Sequence, residues 1–327
     1  MKQDKTDIKE ILYPLNDSLK EVDEIIKQKL LTGIPLVDES AMYLFDRGGK
    51  RIRASLLLLA SGIKGNIADG AERVGAAAEI IHAATLIHDD IIDQSILRRG
   101  DVAVPQKWGN KVAVLAGDYM YTVAMDITIA EGITELLSVM ASGTMDMVKG
   151  ELYQMQFSNI DTISREHYYN IIELKTANYM GCCTRMGAIL AGFDKNECDQ
   201  LYWFGKNLGY AFQIIDDNLD VVQEKSTTGK DAGNDFLDGK ITLPFIYLLE
   251  KSDSNEQKRL KEYALNPNID NWIVIKDLIL EMGAVEYANS VAHDYIDKAM
   301  KIIGQFPETE CRGILEKLSH FLGNRNY

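Results

Sequence analysis

The chain has 327 residues, is 46% apolar and carries a formal net charge of −14. That apolar share supports a sizeable core in one large domain or two, while the acidic balance argues against a nucleic-acid partner. The four cysteines, Cys182, Cys183, Cys198 and Cys311, lack zinc-site spacing and follow no secretory leader; with no apolar run near the length of a membrane helix, a cytoplasmic protein with no membrane span is expected.

Only six prolines occur, at 14, 35, 105, 244, 267 and 307, and the long spans between them favour helices. Apolar spacing predicts a first helix from residue 7 to about 31, a break at Gly33 to Pro35, and a second helix over roughly Asp38 to Asp46. Gly48-Gly49-Lys50-Arg51-Ile52-Arg53 follows. The glycines end one helix and let backbone approach a ligand. Lys50 and Arg53 are expected on the first turn of a helix from Lys50 to Ser61, where free N–H groups already favour an anion.

Residues 69 to about 96 read as a buried helix carrying Leu86-Ile87-His88-Asp89-Asp90-Ile91-Ile92-Asp93, with Arg98-Arg99-Gly100 just beyond. Asp89 and Asp93 are i and i+4, so their carboxylates leave one face a turn apart. They repel each other there, and a bound cation resolves the conflict. Oxygen-only ligands favour Mg²⁺ shared with substrate phosphates, and the arginines suit phosphate oxygens. Glu79, His82 and Leu86 share the face of Asp89.

An irregular stretch through Val104-Pro105 and Trp108-Gly109-Asn110 is expected next, then a helix opening at Leu115 and running to about Ala130. A longer helix covers Ile133 to about Phe157 and contains Gly150-Glu151 and Gln154. Ser164 starts a helix that carries Leu174-Lys175-Thr176-Ala177, a lysine interrupting apolar residues. Lys195 to about Val222 repeats the acidic pattern in Gln213-Ile214-Ile215-Asp216-Asp217-Asn218-Leu219-Asp220. Gln213 precedes Asp216 by three residues and faces the same side. A polar loop with Lys230 and a Gly239-Lys240 step follows, and the last eighty or so residues are further helices without strong chemistry. No β-alternating segment of useful length is seen.

One Asp-Asp-x-x-Asp is a weak signal; two, each in apolar helix and each followed by basic residues, are a strong one. With these motifs the chain resembles the trans-isoprenyl diphosphate synthases, or polyprenyl synthetases, and within them the homo-oligomeric octaprenyl type. The resemblance implies an all-α, single-domain helical bundle over residues 1–327 with a central cavity, the isoprenoid synthase fold. It implies a homodimeric prenyltransferase using Mg²⁺, isopentenyl diphosphate and an allylic prenyl diphosphate such as farnesyl diphosphate.

Carried onto this sequence, the resemblance makes Asp89, Asp93 and Asp216 direct metal ligands, with Asp90, Asp217 and Asp220 acting through water or neighbours. Arg98, Lys175, Lys230 and Lys240 then neutralise the allylic pyrophosphate, while Thr176 and Gln213 steady developing positive charge. Gly49, Lys50, Arg53, His82 and Arg99 hold isopentenyl diphosphate. Ala84 and Thr85, a turn below Asp89, sit where bulky side chains limit product length; both are small, which implies a long product. Ala54 stands where the family has proline, and Asn234 where long-chain members carry an acid. The rivals are a shorter-chain synthase, a terpene cyclase, a His-Asp phosphohydrolase and a partner subunit of a heteromeric synthase. The intact second motif argues against the cyclase, the absence of a histidine before His82 against the phosphohydrolase, and both motifs together against a non-catalytic subunit.

Overall fold

Pro14 decides how the chain begins. It cannot donate a backbone hydrogen bond, so the helix expected over 7–31 is split into α1 (Ile8–Ile11), a 3₁₀ turn (Tyr13–Leu15) and α2 (Asn16–Leu30). The computed structural model describes residues 7–98, 100–157, 159–222 and 233–323. α3 (Pro35–Met42) starts at its proline, a favoured first helical position, and ends before Asp46.

α4 (Ile52–Ser61) is buried at every position except Arg53, and α5 (Ala71–Ile92) is buried on most faces as far as Ala84 and Ile87. Helices apolar all round belong at the centre of a bundle. α5 packs on α2, α4 and a later helix, Asn110–Ala130. It ends in a two-residue ribbon in which β1 (Leu97–Arg98) pairs antiparallel with β2 (Asp101–Val102).

The stretch expected to be irregular is instead helical. α6 (Val104–Trp108) has Pro105 in its first turn, and Gly109, at φ +83°, turns the chain into α7 (Asn110–Ala130), which starts at Asn110 rather than Leu115. α7 also corrects the expectation about membrane-length segments: it is long and apolar enough to cross a bilayer, with 44% of its apolar window buried. Its alanine, glycine, threonine and tyrosine residues interrupt the aliphatic run without lowering the mean hydropathy far. In the fold it packs against α3, α5 and the helix that follows it.

α8 (Thr134–Phe157) and α9 (Arg165–Ile172) follow, the latter capped by the Ser164 hydroxyl accepting from the His167 amide. A π-helical turn, Glu173–Ala177, leads into α10 (Asn178–Leu190). α11 (Lys195–Val222), the longest helix described, lies between α10 and α16 (Ala284–Ile303). Around it stand α12 (Asn234–Leu237), α13 (Leu243–Lys251), α14 (Ser254–Leu265), α15 (Ile269–Glu281) and α17 (Glu310–Gly323). One contiguous apolar core runs from Ile8 to Leu322. The architecture is all-α, as expected, and the four cysteines are free and buried.

Candidate active site

Asp93 is the C-cap of α5 but keeps helical backbone, its amide bonded to the Asp89 carbonyl at 2.8 Å. Asp89 and Asp93 therefore stay one turn apart. Asp90 turns the other way and is completely buried. Its Oδ1 accepts from Arg98 Nε at 2.7 Å and pairs with Arg98 Nη2. Arg98, expected at the pyrophosphate, thus has two guanidinium nitrogens committed to Asp90. A buried carboxylate left alone is too costly, and the β1–β2 ribbon folds the arginine back onto it.

Asp89 faces a mixed environment. Burial pushes its pKa up to about 6; Lys175 and Arg98 oppose the rise, while Glu151 and Asp93 add to it. Tyr121 on α7 is pushed up to about 12 by burial and then by Asp89.

Lys175 and Thr176 lie in the π-helical turn, where one extra residue per turn re-aims the side chains. The turn is clasped from both sides. A Cβ on Gly150 of α8 would stand 2.9 Å from the Lys175 nitrogen, and one on Gly209 of α11 would stand 2.5 Å from the Ala177 Cα. Only glycine permits such approach. Lys175 Nζ pairs with Glu151 and donates to Gln154 Oε1 at 3.1 Å. Thr176 Oγ1 donates to Gln213 Oε1 at 2.9 Å. This joins the lysine–threonine pair to the helix of the second motif.

On α11, Asp216 is exposed and Asp217 buried. Asp217 accepts from the Tyr168 hydroxyl at 2.6 Å and from Gln213 Nε2 at 2.9 Å. Burial, then the charge of Asp235, holds its pKa well above the carboxylate range. Asp220 accepts from the amides of Asn234 at 3.2 Å and Asp235 at 3.0 Å, and its carbonyl accepts from the Gly233 amide at 3.0 Å. Asp235 is itself pushed up to about 7 by burial and by Asp220.

Lys240 bridges the two ends. Its amide donates to the Asp235 carbonyl at 2.7 Å, and its Nζ lies 3.3 Å from Asp93 Oδ2 on the opposite motif. Burial alone would lower its pKa, but Asp93, Asp235 and Asp238 outweigh it and raise the pKa above the usual lysine value.

The basic motif departs from expectation. Arg51 takes a left-handed backbone, φ +46°, so α4 begins at Ile52 and Lys50 lies outside the helix rather than on its first turn. Arg51 is held by Asp23 at 2.7 Å. Lys50 and Gly49 are exposed and Arg53 half-buried. Glu79 of α5, only 6% exposed, accepts from the amides of Arg53 and Ala54, both at 3.1 Å, and so caps α4. His82 is half-buried; its carbonyl accepts from Thr85 Oγ1 at 2.8 Å, and Ala84 is fully buried. Arg99 and Lys230 lie outside the described residues.

Among the described residues, no three acidic, histidine or cysteine side chains are grouped closely enough to hold a metal ion unaided. The donor set nonetheless fits a hard cation shared with phosphate. Every candidate donor is an oxygen, and burial with neighbouring acids raises the pKa of Asp89 and Asp235. Motif reading gave no role to Glu151, which pairs with Lys175, or to Tyr168, which donates to Asp217, and it placed Glu79 on the Asp89 face without showing that it caps α4. Their signal is a polar group inside an apolar helix or next to a glycine, which many proteins share.

A family model described as polyprenyl synthetase matches residues 34–277. The chain belongs to that family. This polyprenyl synthetase is 32% identical over 315 residues to "Heptaprenyl diphosphate synthase component 2" of Geobacillus stearothermophilus, covering 96% of this chain and 97% of the relative. It is also 32% identical to "Short chain isoprenyl diphosphate synthase" of Methanothermobacter thermautotrophicus, with 95% and 98% covered. A crystal structure of polyprenyl synthase from Caulobacter crescentus, complexed with calcium and isoprenyl diphosphate, superposes with a TM-score of 0.92 at 32% identity over 98% of both chains. The polyprenyl synthetase described here is therefore a prenyltransferase of the trans-prenyl diphosphate synthase family. Its relatives range from short-chain to octaprenyl and nonaprenyl synthases, so membership does not set the product length.

Proposed function

We propose that this polyprenyl synthetase is a Mg²⁺-dependent, homodimeric, long-chain enzyme that condenses isopentenyl diphosphate head-to-tail with an allylic primer such as farnesyl diphosphate. The observation that carries the reading is the Lys240–Asp93 pair at 3.3 Å, which ties the loop behind one acidic motif to the end of the other. A diphosphate between the motifs meets carboxylates from both sides and lysine charge from Lys175 and Lys240.

Asp89, Asp93 and Asp216 would hold Mg²⁺, which when bound would supply Lewis-acid assistance to the departure of pyrophosphate. Lys175 and Lys240 take up the negative charge that grows as the allylic C–O bond breaks, a preorganised electrostatic effect. Lys230 joins them, and Arg98 acts through Asp90. Thr176 and Gln213 turn oxygen dipoles toward the positive carbon. Gly49, Lys50, Arg53, His82 and Arg99 hold isopentenyl diphosphate so that its double bond attacks that carbon. A proton then leaves, to the released pyrophosphate. Asp217 and Asp220 fix the far wall of the cleft. The apolar surroundings keep water from the cation.

Ala84 and Thr85 are small, so neither side chain blocks a tail that passes between the helices there, which supports the long product. Burial of each added isoprene unit stabilises the bound tail by roughly 4 kcal/mol, from about 0.8 kcal/mol per CH₂. Exposed Leu115 and Ile129 on α7 and Val148, Leu152 and Met155 on α8 support a second copy as the covering partner. The Geobacillus relative's name, a component of a synthase, supports a second reading: the catalytic half of a heteromer.

The test is an assay of the purified protein with labelled isopentenyl diphosphate and farnesyl diphosphate, with and without Mg²⁺. Metal-dependent products of roughly six or more isoprene units are expected, given the small side chains at the tail entrance. Absence of product from the lone chain supports the heteromer. Ala84→Phe should shorten the product; unchanged length would show that the tail takes another route.

A further inference from the structure

We infer that Trp272, on α15 in the part of the chain without any chemical motif, is a positioning residue for the second acidic motif; this rests on the function proposed above. Trp272 is 4% exposed. Its indole stacks on Phe236 of α12 with ring centroids 5.7 Å apart, and it lies flat against Gly233, where an added Cβ would come within 2.2 Å of the ring. Gly233 sits at φ +83°, a conformation side chains resist, so the chain is shaped to admit the indole here.

What the indole braces is the segment that fixes the acids. α12 is a single helical turn and too short to hold itself together, so its place is set by packing. The amides of Gly233, Asn234 and Asp235 all bond to Asp220. The Asp235 carbonyl accepts from the Lys240 amide, and Lys240 reaches Asp93. Trp272, Asp220, Asp235, Phe236 and Lys240 line one small cavity. Loss of the ring frees α12 to move away from α11, and Asp220, Asp235 and Lys240 lose register together. Displacements of about 1 Å in such a site cost on the order of 10²-fold in rate.

The test uses inorganic pyrophosphate with Mg²⁺ as the probe, so it has a readout besides turnover. The sequence has three tryptophans, Trp108, Trp203 and Trp272. Trp108→Phe/Trp203→Phe leaves Trp272 as the sole tryptophan, and its selectively excited fluorescence should change saturably as Mg²⁺ and pyrophosphate are added. Trp272→Ala should weaken Mg²⁺–pyrophosphate binding about tenfold by calorimetry and cut kcat by about 10²-fold, with the KM for isopentenyl diphosphate within about twofold. Trp272→Phe should restore most of both, which a general loss of stability would not produce. A folded Trp272→Ala with unchanged pyrophosphate affinity and kcat overturns the inference. So does a loss of isopentenyl diphosphate KM equal to that of kcat. If Trp272→Ala does not fold, the sole-tryptophan protein decides, and emission indifferent to the probe overturns it. Wild-type protein that neither binds the probe nor turns over defeats the proposed function instead.

Discussion

The two acidic motifs share one sequence pattern and live in opposite electrostatic settings. In each, the middle aspartate is sealed inside the bundle. Asp90 is met by a guanidinium, two nitrogens of Arg98 on one oxygen. Among the described residues, Asp217 is met by neutral groups, the Tyr168 hydroxyl and the Gln213 amide, and Asp235 presses charge on it from nearby. The outer aspartates differ likewise. Asp89 and Asp93 have Lys175 and Lys240 within electrostatic reach, whereas among the described residues Asp216, Asp217, Asp220 and Asp235 crowd together, with Lys240 acting on Asp235. The first motif is largely balanced from within the chain. Among the described residues, the second keeps an excess of negative charge, so it has more to gain from an added cation.

That contrast can be broken most sharply by activity. Asp89→Ala and Asp216→Ala should each reduce turnover by about 10³-fold or more, with unchanged far-UV circular dichroism. Near-normal turnover for Asp216→Ala would place the chemistry at the first motif alone. A smaller but still large effect is expected on stability. Arg98→Ala strands the Asp90 charge and should cost about 3–5 kcal/mol in denaturant unfolding. Tyr168→Phe removes one neutral hydrogen bond from Asp217 and should cost about 1 kcal/mol. Equal costs would mean that the two sealed aspartates are held alike.

The smallest expected effect concerns pH. Asp89 at about 6 and Asp235 at about 7 both bind a proton more tightly in the folded chain than their ordinary value of 3.8 allows. Groups raised in this way favour the fold at low pH and lose that contribution as pH rises through the folded values, here between about pH 4 and 7. Asp235→Asn removes the largest part of this. It should raise the metal-free Tm at pH 8 by about 3 °C or more while lowering activity, and the gain over wild type should shrink toward pH 5. A gain that is the same at both pH values would remove titration as the cause.

Much of this was legible in the chain. The proline-poor composition and apolar spacing marked the all-α class, and the span of α11 follows from its periodicity. Asp89 and Asp93, and Asp216 and Asp220, show their pairing in spacing alone, because helical periodicity is local. Where the reading failed, a single backbone feature intervened. Pro14 split the first helix, Gly109 let two helices replace a loop, and left-handed Arg51 moved Lys50 off α4.

By itself, the sequence determined which residues carry charge and which face of a helix they leave, since both depend on neighbours a few positions away. The tertiary structure decided what each charge meets. Arg98 turned from open cleft to Asp90, Glu79 became a cap for another helix, and Trp272 came to rest on Gly233. Such pairings join residues far apart in the chain, and burial sets their strength. Neither exists until the helices are packed.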